Sequence, residues 1–273
     1  YIVILLYKYS FSPFILYSVL SYITSLISFI LKSVVMLDLK LTQYFFKLIA
    51  PVFTITIISF FMISDITIFV SSFLLFHVLI NIISSNLYHR FWSHKQLTLS
   101  KPIEYFACYM GLFSMIGSPL SYALLHRWHH RHTDTEKDMH SPIHGRFTAF
   151  IGWYFKPSPS IPIMVVKDLM RPEYNYLTHA TKYQLPIIYI TLCIVGLLSV
   201  NVLSALLLAM CVSFLLEMFV NAFAHDPITK SAKDVKILAW IKLGTYHLQH
   251  HLYPNKVNKD DPGYYLVKLL NKK

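Results

Sequence analysis

The chain has 273 residues, 55% of them hydrophobic and 14% charged, with a mean hydropathy of +0.51. Soluble domains carry about a quarter of their residues as charges, so this composition excludes an ordinary soluble domain and points to a membrane protein. A formal net charge of +11 would favour a nucleic-acid partner in a soluble chain, but of the 24 Lys and Arg residues 11 lie between His89 and Lys182 and nine between His225 and Lys273; charge confined to such segments reads as membrane topology, with no nucleic acid implied.

In chain order, residues 1–45 read as an N-terminal hydrophobic segment. Within it, Phe11–Leu31 runs 21 residues without a charge but is rich in Ser and Tyr, and is expected to lie at the interface or to form an additional span. Residues 46–273 form the main domain. Leu48–Ser64 and Ile66–Tyr88 are two apolar runs separated by Asp65, a helical hairpin with a tight turn. Tyr183–Val200 and Val202–Ala224 repeat that arrangement around Asn201. Neither turn contains Lys or Arg, whereas the segments after each hairpin, 89–182 and 225–273, hold 20 of the 24; positive-inside logic makes those segments cytoplasmic. Pro102–Leu125 is apolar with Glu104 its one charge. Were it a span, the histidine motifs on either side of it would end on opposite faces of the membrane, so an in-plane or re-entrant helix is expected. The expected fold is therefore an all-α membrane protein: four core transmembrane helices in two hairpins with a cytoplasmic histidine-rich helical cap. Cys108, Cys193 and Cys211 stand singly in apolar stretches and read as buried thiols.

The chain is organised around the histidines. HRWHH places His126, His129 and His130 at i, i+3 and i+4, one face of a helix, and the same spacing returns as His247, His250 and His251. HRFWSH supplies His89 and His94, five apart and so about 140° around a regular helix, where the helix is expected to end or bend. Asn221 and His225 share a face at the end of the last apolar helix, and Glu217 lies one turn before Asn221, as a polar channel wall or a partner for metal-bound water. Nine imidazoles exceed what one metal accepts, so two metals are implied; imidazole suits Zn, Cu, Fe and Ni alike. Asp134 and Asp138 are placed to accept an N–H from ligand histidines, with His140 a further support. Trp92 reads as an interface anchor or as packing over the site. His77, inside an apolar helix, reads as a hydrogen-bonded residue, and His132 stays outside the ligand set.

HRFWSH, HRWHH followed by TDTEKDMHSP, NAFAH and HLQHHLYP, in this order over His89–Pro254, resemble the signatures of the membrane fatty acyl desaturases, in particular the Δ9 acyl-CoA type. The resemblance implies two iron ions held by His89, His94, His126, His129, His130, His225, His247, His250 and His251, with Asn221 acting through a water and zinc a possible substitute in purified protein. The chain departs from the family at Thr245, where a Glu is common, and at Leu248, where an Asn is common.

The chemistry this implies is oxygen-dependent removal of two hydrogens from adjacent methylenes of a long-chain saturated acyl group, acyl-CoA or lipid-linked, giving a cis double bond. Unactivated C–H bonds offer no acidic proton for paired carboxylates or a Ser-His-Asp set. No haem or iron–sulfur domain is visible, so electrons are expected from a separate donor such as cytochrome b5 or ferredoxin. An acyl or sterol hydroxylase on the same scaffold needs the same histidines and is the nearest rival. The expected location is a bacterial inner membrane or the endoplasmic reticulum, multi-pass, with the metal site on the cytoplasmic face.

Overall fold

The structure is a computed structural model describing residues 41–157 and 160–270. The expectation for Phe11–Leu31 lies outside the described residues. Among the described residues, four helices are long and apolar enough to cross a membrane: α1 (Leu41–Phe60), α2 (Ile66–Ser93), α6 (Asn175–Leu198, entered through a 3-10 turn from Pro172) and α7 (Val200–Phe223). Between α2 and α6 lie α3 (Lys101–Met110), α4 (Pro119–His132) and the short α5 (Arg146–Phe150). After α7 come α8 (Lys236–Ile241), α9 (His247–Leu252) and α10 (Tyr264–Leu270). Among the described residues the fold is all-α apart from one antiparallel ladder of two residues per strand, β1 (His225–Asp226) with β2 (Ser231–Ala232).

The spans sort themselves by burial. In α7, 61% of the most apolar window is buried, against 22–28% in the other three, so α7 is the central helix. Its Leu206, Leu207, Met210 and Phe214 belong to one buried cluster with Leu48, Val52, Ile80 and Ile188. The outer faces leave Ile57, Phe61, Leu74, Leu75, Ile194 and Leu197 exposed, as side chains facing lipid should be. A second cluster, including Tyr88, Trp92, Ala107, Leu120, Ala123 and Leu177, packs α2, α3, α4 and α6 together beneath the histidine motifs.

The first turn forms as the sequence predicts: Asp65 caps α2, its Oδ1 accepting from the N–H groups of Thr67 and Ile68 at 2.9 and 3.0 Å. The second lies earlier than predicted. Ser199 is the break and the N-cap, and Asn201 sits inside α7. There Asn201 Oδ1 accepts from the backbone N–H of Ser64 (2.9 Å) and Asp65 (3.2 Å), and its amide donates to the Ser64 hydroxyl. A polar side chain buried between two apolar helices is satisfied by backbone donors of the first turn, so it ties the two turns together. Asn201→Ala is expected to leave both N–H groups without that acceptor and cost about 1–3 kcal/mol, read as a lower thermal midpoint in detergent.

Two further boundaries depart from expectation. The third span begins at Asn175, not Tyr183, because Tyr176, Leu177 and Ala180 pack into the second cluster, the Tyr176 hydroxyl donates to Glu104 (2.6 Å), and the Ser118 and Thr181 hydroxyls hydrogen-bond at 2.6 Å. The stretch Pro102–Leu125 is two helices bent by 74° instead of one. A 3-10 turn ends α3, Met115 and Gly117 adopt positive φ (58° and 95°), and Ser118 with Pro119 restarts the helix as α4.

Candidate metal centre

Each motif reaches the site on a different element. As predicted at His89–His94, the helix ends there, with His94 as its C-cap, and it does so through a change of helix type. The last 11 residues of α2, Ile83–Ser93, wind as π-helix, and the His94 N–H donates to the His89 carbonyl at 3.2 Å. Closure from i to i+5 brings residues five apart onto one side, so the two rings lie 5.0 Å apart. His126, His129 and His130 lie on the last turns of α4, and His247, His250 and His251 on α9. His225 is not on α7 but just beyond its C-cap Ala224, in β1.

All nine candidate histidines converge in two groups. His89, His94, His126, His130 and His250 each bring a ring nitrogen within 4.8 Å of the others, and so do His129, His225, His247 and His251. Each group thus draws on separate parts of the chain, and neighbouring His129 and His130 fall in different groups because they diverge by about 100° on the helix.

The ring contacts are what a shared cation requires. Nε2 meets Nε2 between His89 and His250 (2.9 Å), His94 and His126 (2.8 Å), His126 and His130 (3.1 Å), His130 and His250 (2.8 Å), and His225 and His247 (2.7 Å). A neutral imidazole has one N–H and one lone pair. The Nδ1 of His225 faces Asp134 Oδ2 at 2.9 Å, and that of His129 faces Asp138 Oδ2 at 2.8 Å; each carboxylate fixes the proton on Nδ1. The His89 Nδ1 likewise faces the Ser85 carbonyl at 3.3 Å. Their Nε2 atoms therefore present lone pairs inward. In the five-histidine group the Nε2 contacts form a chain of nitrogens that a positive ion in their midst would satisfy, so the donor set fits metal binding.

Electrostatics keeps His94, His247 and His250 neutral. Burial, with the nearby Arg127 and Arg90 charges, lowers the His94 pKa from 6.5 to about 4. His247 and His250 are held well below the usual histidine range by burial and by their neighbouring rings. Burial alone would raise the Asp138 carboxyl, but the facing His140 and His129 rings outweigh it and hold it well below the usual range. A histidine that stays neutral when folded but protonates when unfolded makes the unfolded chain bind more protons. The contribution of His94 is thus intact above pH 6.5 and is lost as pH falls from there toward about 4. Metal-free protein is expected to unfold at steadily lower temperature across this window, as thermal scans at stepped pH would read.

The carboxylates are themselves anchored. Asp134 Oδ1 accepts from the Ser141 hydroxyl at 2.6 Å, and Asp138 accepts from His140 Nδ1 (2.8 Å) and from the Asp134 N–H (3.2 Å). Asn221 and Glu217 line one cavity with His89, His126, His129, His225 and His247. Glu217 receives the Lys242 ammonium and, at 3.4 Å, the Tyr122 hydroxyl, whose ring stacks on His126. Trp92 is no interface anchor: it is fully buried in the second cluster against Tyr88 and Phe91, and it does not line that cavity. His132 packs at a tilt against Trp128, His144 faces Glu136 at 3.7 Å, His179 bonds the Tyr109 hydroxyl, and His77 bonds Asn81, each away from the two groups.

Sequence reasoning missed two arginines, Arg90 buried and Arg127 half-buried, that hold the motifs together. Arg127 donates to the carbonyls of Ser93 (2.9 Å), Trp92 (2.7 Å) and Val165 (3.0 Å) and bidentately to Asp168, clamping the end of α2 to α4. Arg90 pairs with Asp261 at 3.0 Å, and Asp261 Oδ1 accepts from the Tyr246 N–H at the start of α9. The signal was present: both HRFWSH and HRWHH put Arg directly after the first histidine.

A family profile described as fatty acid desaturase matches residues 64–268. The chain is similar to an acyl-CoA 5-desaturase of Anemone leveillei, 44% identical over 68 residues, which is 25% of this chain and 21% of that protein. It is also similar to the Delta-9 desaturase-like 1 protein of Arabidopsis thaliana, 41% over 71 residues, 26% of this chain and 24% of that one. An icosanoyl-CoA 5-desaturase of Limnanthes douglasii is 41% identical over 66 residues, 24% of this chain and 18% of that protein. The chain thus spans a quarter or less of the length of these curated relatives.

Proposed function

This chain belongs to the fatty acid desaturase family, and we propose that it is an integral membrane desaturase that introduces a cis double bond into a long-chain saturated acyl group. The observation that supports this most is the pair of histidine groups, five and four rings, whose inward lone pairs fit two metal ions. Iron is the metal proposed, with zinc as a substitute. His89, His94, His126, His130 and His250 would hold one ion, and His129, His225, His247 and His251 the other, with Asn221 positioned through a water. Bound there, two redox metals supply the activation of dioxygen that breaking unactivated C–H bonds requires. Overall, one acyl –CH2–CH2– segment, one O2, two electrons and two protons give –CH=CH– and two water molecules, with the electrons from a separate protein such as cytochrome b5 or ferredoxin.

The chain's own residues supply the positioning. Asp134 and Asp138 fix the tautomers of His225 and His129, and Arg90 and Arg127 lock the motifs into register. α7 carries Met218 and Val220 into the cavity beside the histidines, and Ile116, Leu125 and Leu238 add apolar wall for an alkyl chain. Asn201 joins both interhelical turns at the start of α7, and His225 follows its other end, so the histidines lie at the end away from the turns. With 20 of 24 basic residues in the histidine-bearing segments, that end is assigned to the cytoplasmic side. The carrier is assigned as coenzyme A and the position as Δ9, from the motif resemblance; a hydroxylase on the same scaffold is the second reading, since product analysis alone separates a new double bond from a new hydroxyl.

The test is expression in a host lacking its own desaturase, followed by fatty acid analysis of total lipids. Unsaturated acyl chains are expected. Their absence from folded, inserted protein supplied with iron, oxygen and a donor would overturn the reading, and hydroxylated chains in their place would establish the rival.

A further inference from the structure

The cavity lined by His89, His126, His129, His225 and His247 is not the plain apolar tunnel that a saturated chain needs. It is also lined by Ser85, Tyr122, Glu217, Lys242 and Thr245. Lys242 is 8% exposed, and its ammonium is held by Glu217, whose other oxygen accepts from Tyr122. Ser85 is 7% exposed, and its hydroxyl oxygen is buried with no hydrogen-bond partner. A hydroxyl without a partner wastes a hydrogen bond. A buried ion pair loses more in desolvation than its attraction fully returns, and charges at membrane depth are retained where function uses them. An ammonium has three donors; Glu217 uses one, and methylenes can use none of the rest.

Resting on the acyl-chain reading above, we propose that Ser85 and Lys242, with Glu217 orienting the ammonium, form an oxygen-recognition subsite: the substrate is an acyl chain carrying a hydroxyl or carbonyl oxygen on its buried segment. The hydrogen bonds to that oxygen fix how far the chain advances, and so which methylenes lie beside the histidines. Glu217 is a positioning residue here, since it acts through Lys242. Glu217 is the one carboxylate among the residues lining this cavity, so no second carboxylate competes for the ammonium.

The test is equilibrium binding to the full-length, iron-loaded protein in lipid nanodiscs, with octadecanoic acid and its hydroxy and oxo derivatives substituted at successive carbons. One narrow range of positions is expected to bind about 10-fold tighter than the unsubstituted acid, the worth of a charge-assisted hydrogen bond. The hydroxy and oxo arms decide which oxygen is recognised. The paired variant Lys242→Met with Glu217→Gln, which leaves no orphan charge, should bring that preference to about parity. Ser85→Ala alone should reduce it about threefold, and it decides the matter should the paired variant fail to insert. The proposal is overturned if no position is preferred, or if the preference survives in the variants. Binding is read without turnover, so the two readings separate: positional preference with no unsaturated product sinks the desaturase and keeps the subsite, whereas desaturation of plain chains with no preference does the reverse.

Discussion

Replacing His250 with alanine is expected to abolish turnover while leaving the protein inserted and folded. His250 is 4% exposed, and its Nε2 lies 2.9 Å from His89 and 2.8 Å from His130, so one ring from α9 touches donors delivered by α2 and α4. Losing it removes a donor and also the contact that joins three parts of the chain. Loss of a mere supporting partner typically lowers metal affinity or activity about 10–100-fold; loss of a shared donor should exceed that range. Product analysis checks the activity, and metal analysis of the same preparation should find the five-histidine group empty and the other filled. A variant that desaturates normally would remove His250 from the proposed ligands.

The second large effect is expected at Asp138. Asp138→Asn keeps the size of the side chain but replaces a carboxylate that accepts from His129, His140 and the Asp134 N–H. An amide is uncharged and offers one acceptor oxygen and one donor nitrogen, so both histidines lose their charged partner and, whichever way the amide turns, one of them also loses its acceptor. His129 can then carry its proton on Nε2, which points the lone pair away from His225, His247 and His251. Activity and affinity for the second metal are expected to fall about 10–100-fold, while the five-histidine group keeps its ion. Equal loss of both ions would show that Asp138 holds the fold of the cap instead of the tautomer of one ring.

Much of this was legible in the chain because its patterns are local. Apolar runs of bilayer length declare spans by composition, and i, i+3, i+4 histidines declare a helix face wherever the helix lies. The convergence of nine rings needed only the premise that the motifs share one side of the membrane. What escaped was set by contacts between distant residues. Asn201 looks like a turn residue in sequence, yet its partners, Ser64 and Asp65, are more than 130 positions away. The start of α6 is extended by Tyr176 reaching Glu104, a bond no local propensity contains. The π winding of Ile83–Ser93 was hidden because the five-residue interval between His89 and His94 was judged against α-helical geometry; in a π turn that same interval is what aligns them. Trp92 resembles an interface anchor until the packing of Tyr88 and Phe91 around it is known.

Metal analysis of the purified chain after iron loading is expected to find two ions per chain, falling to one in His247→Ala, because His247 belongs only to the four-histidine group, where its Nε2 lies 2.7 Å from that of His225. A single ion in the unaltered protein, or two ions retained when His247 is gone, would contradict a two-metal centre.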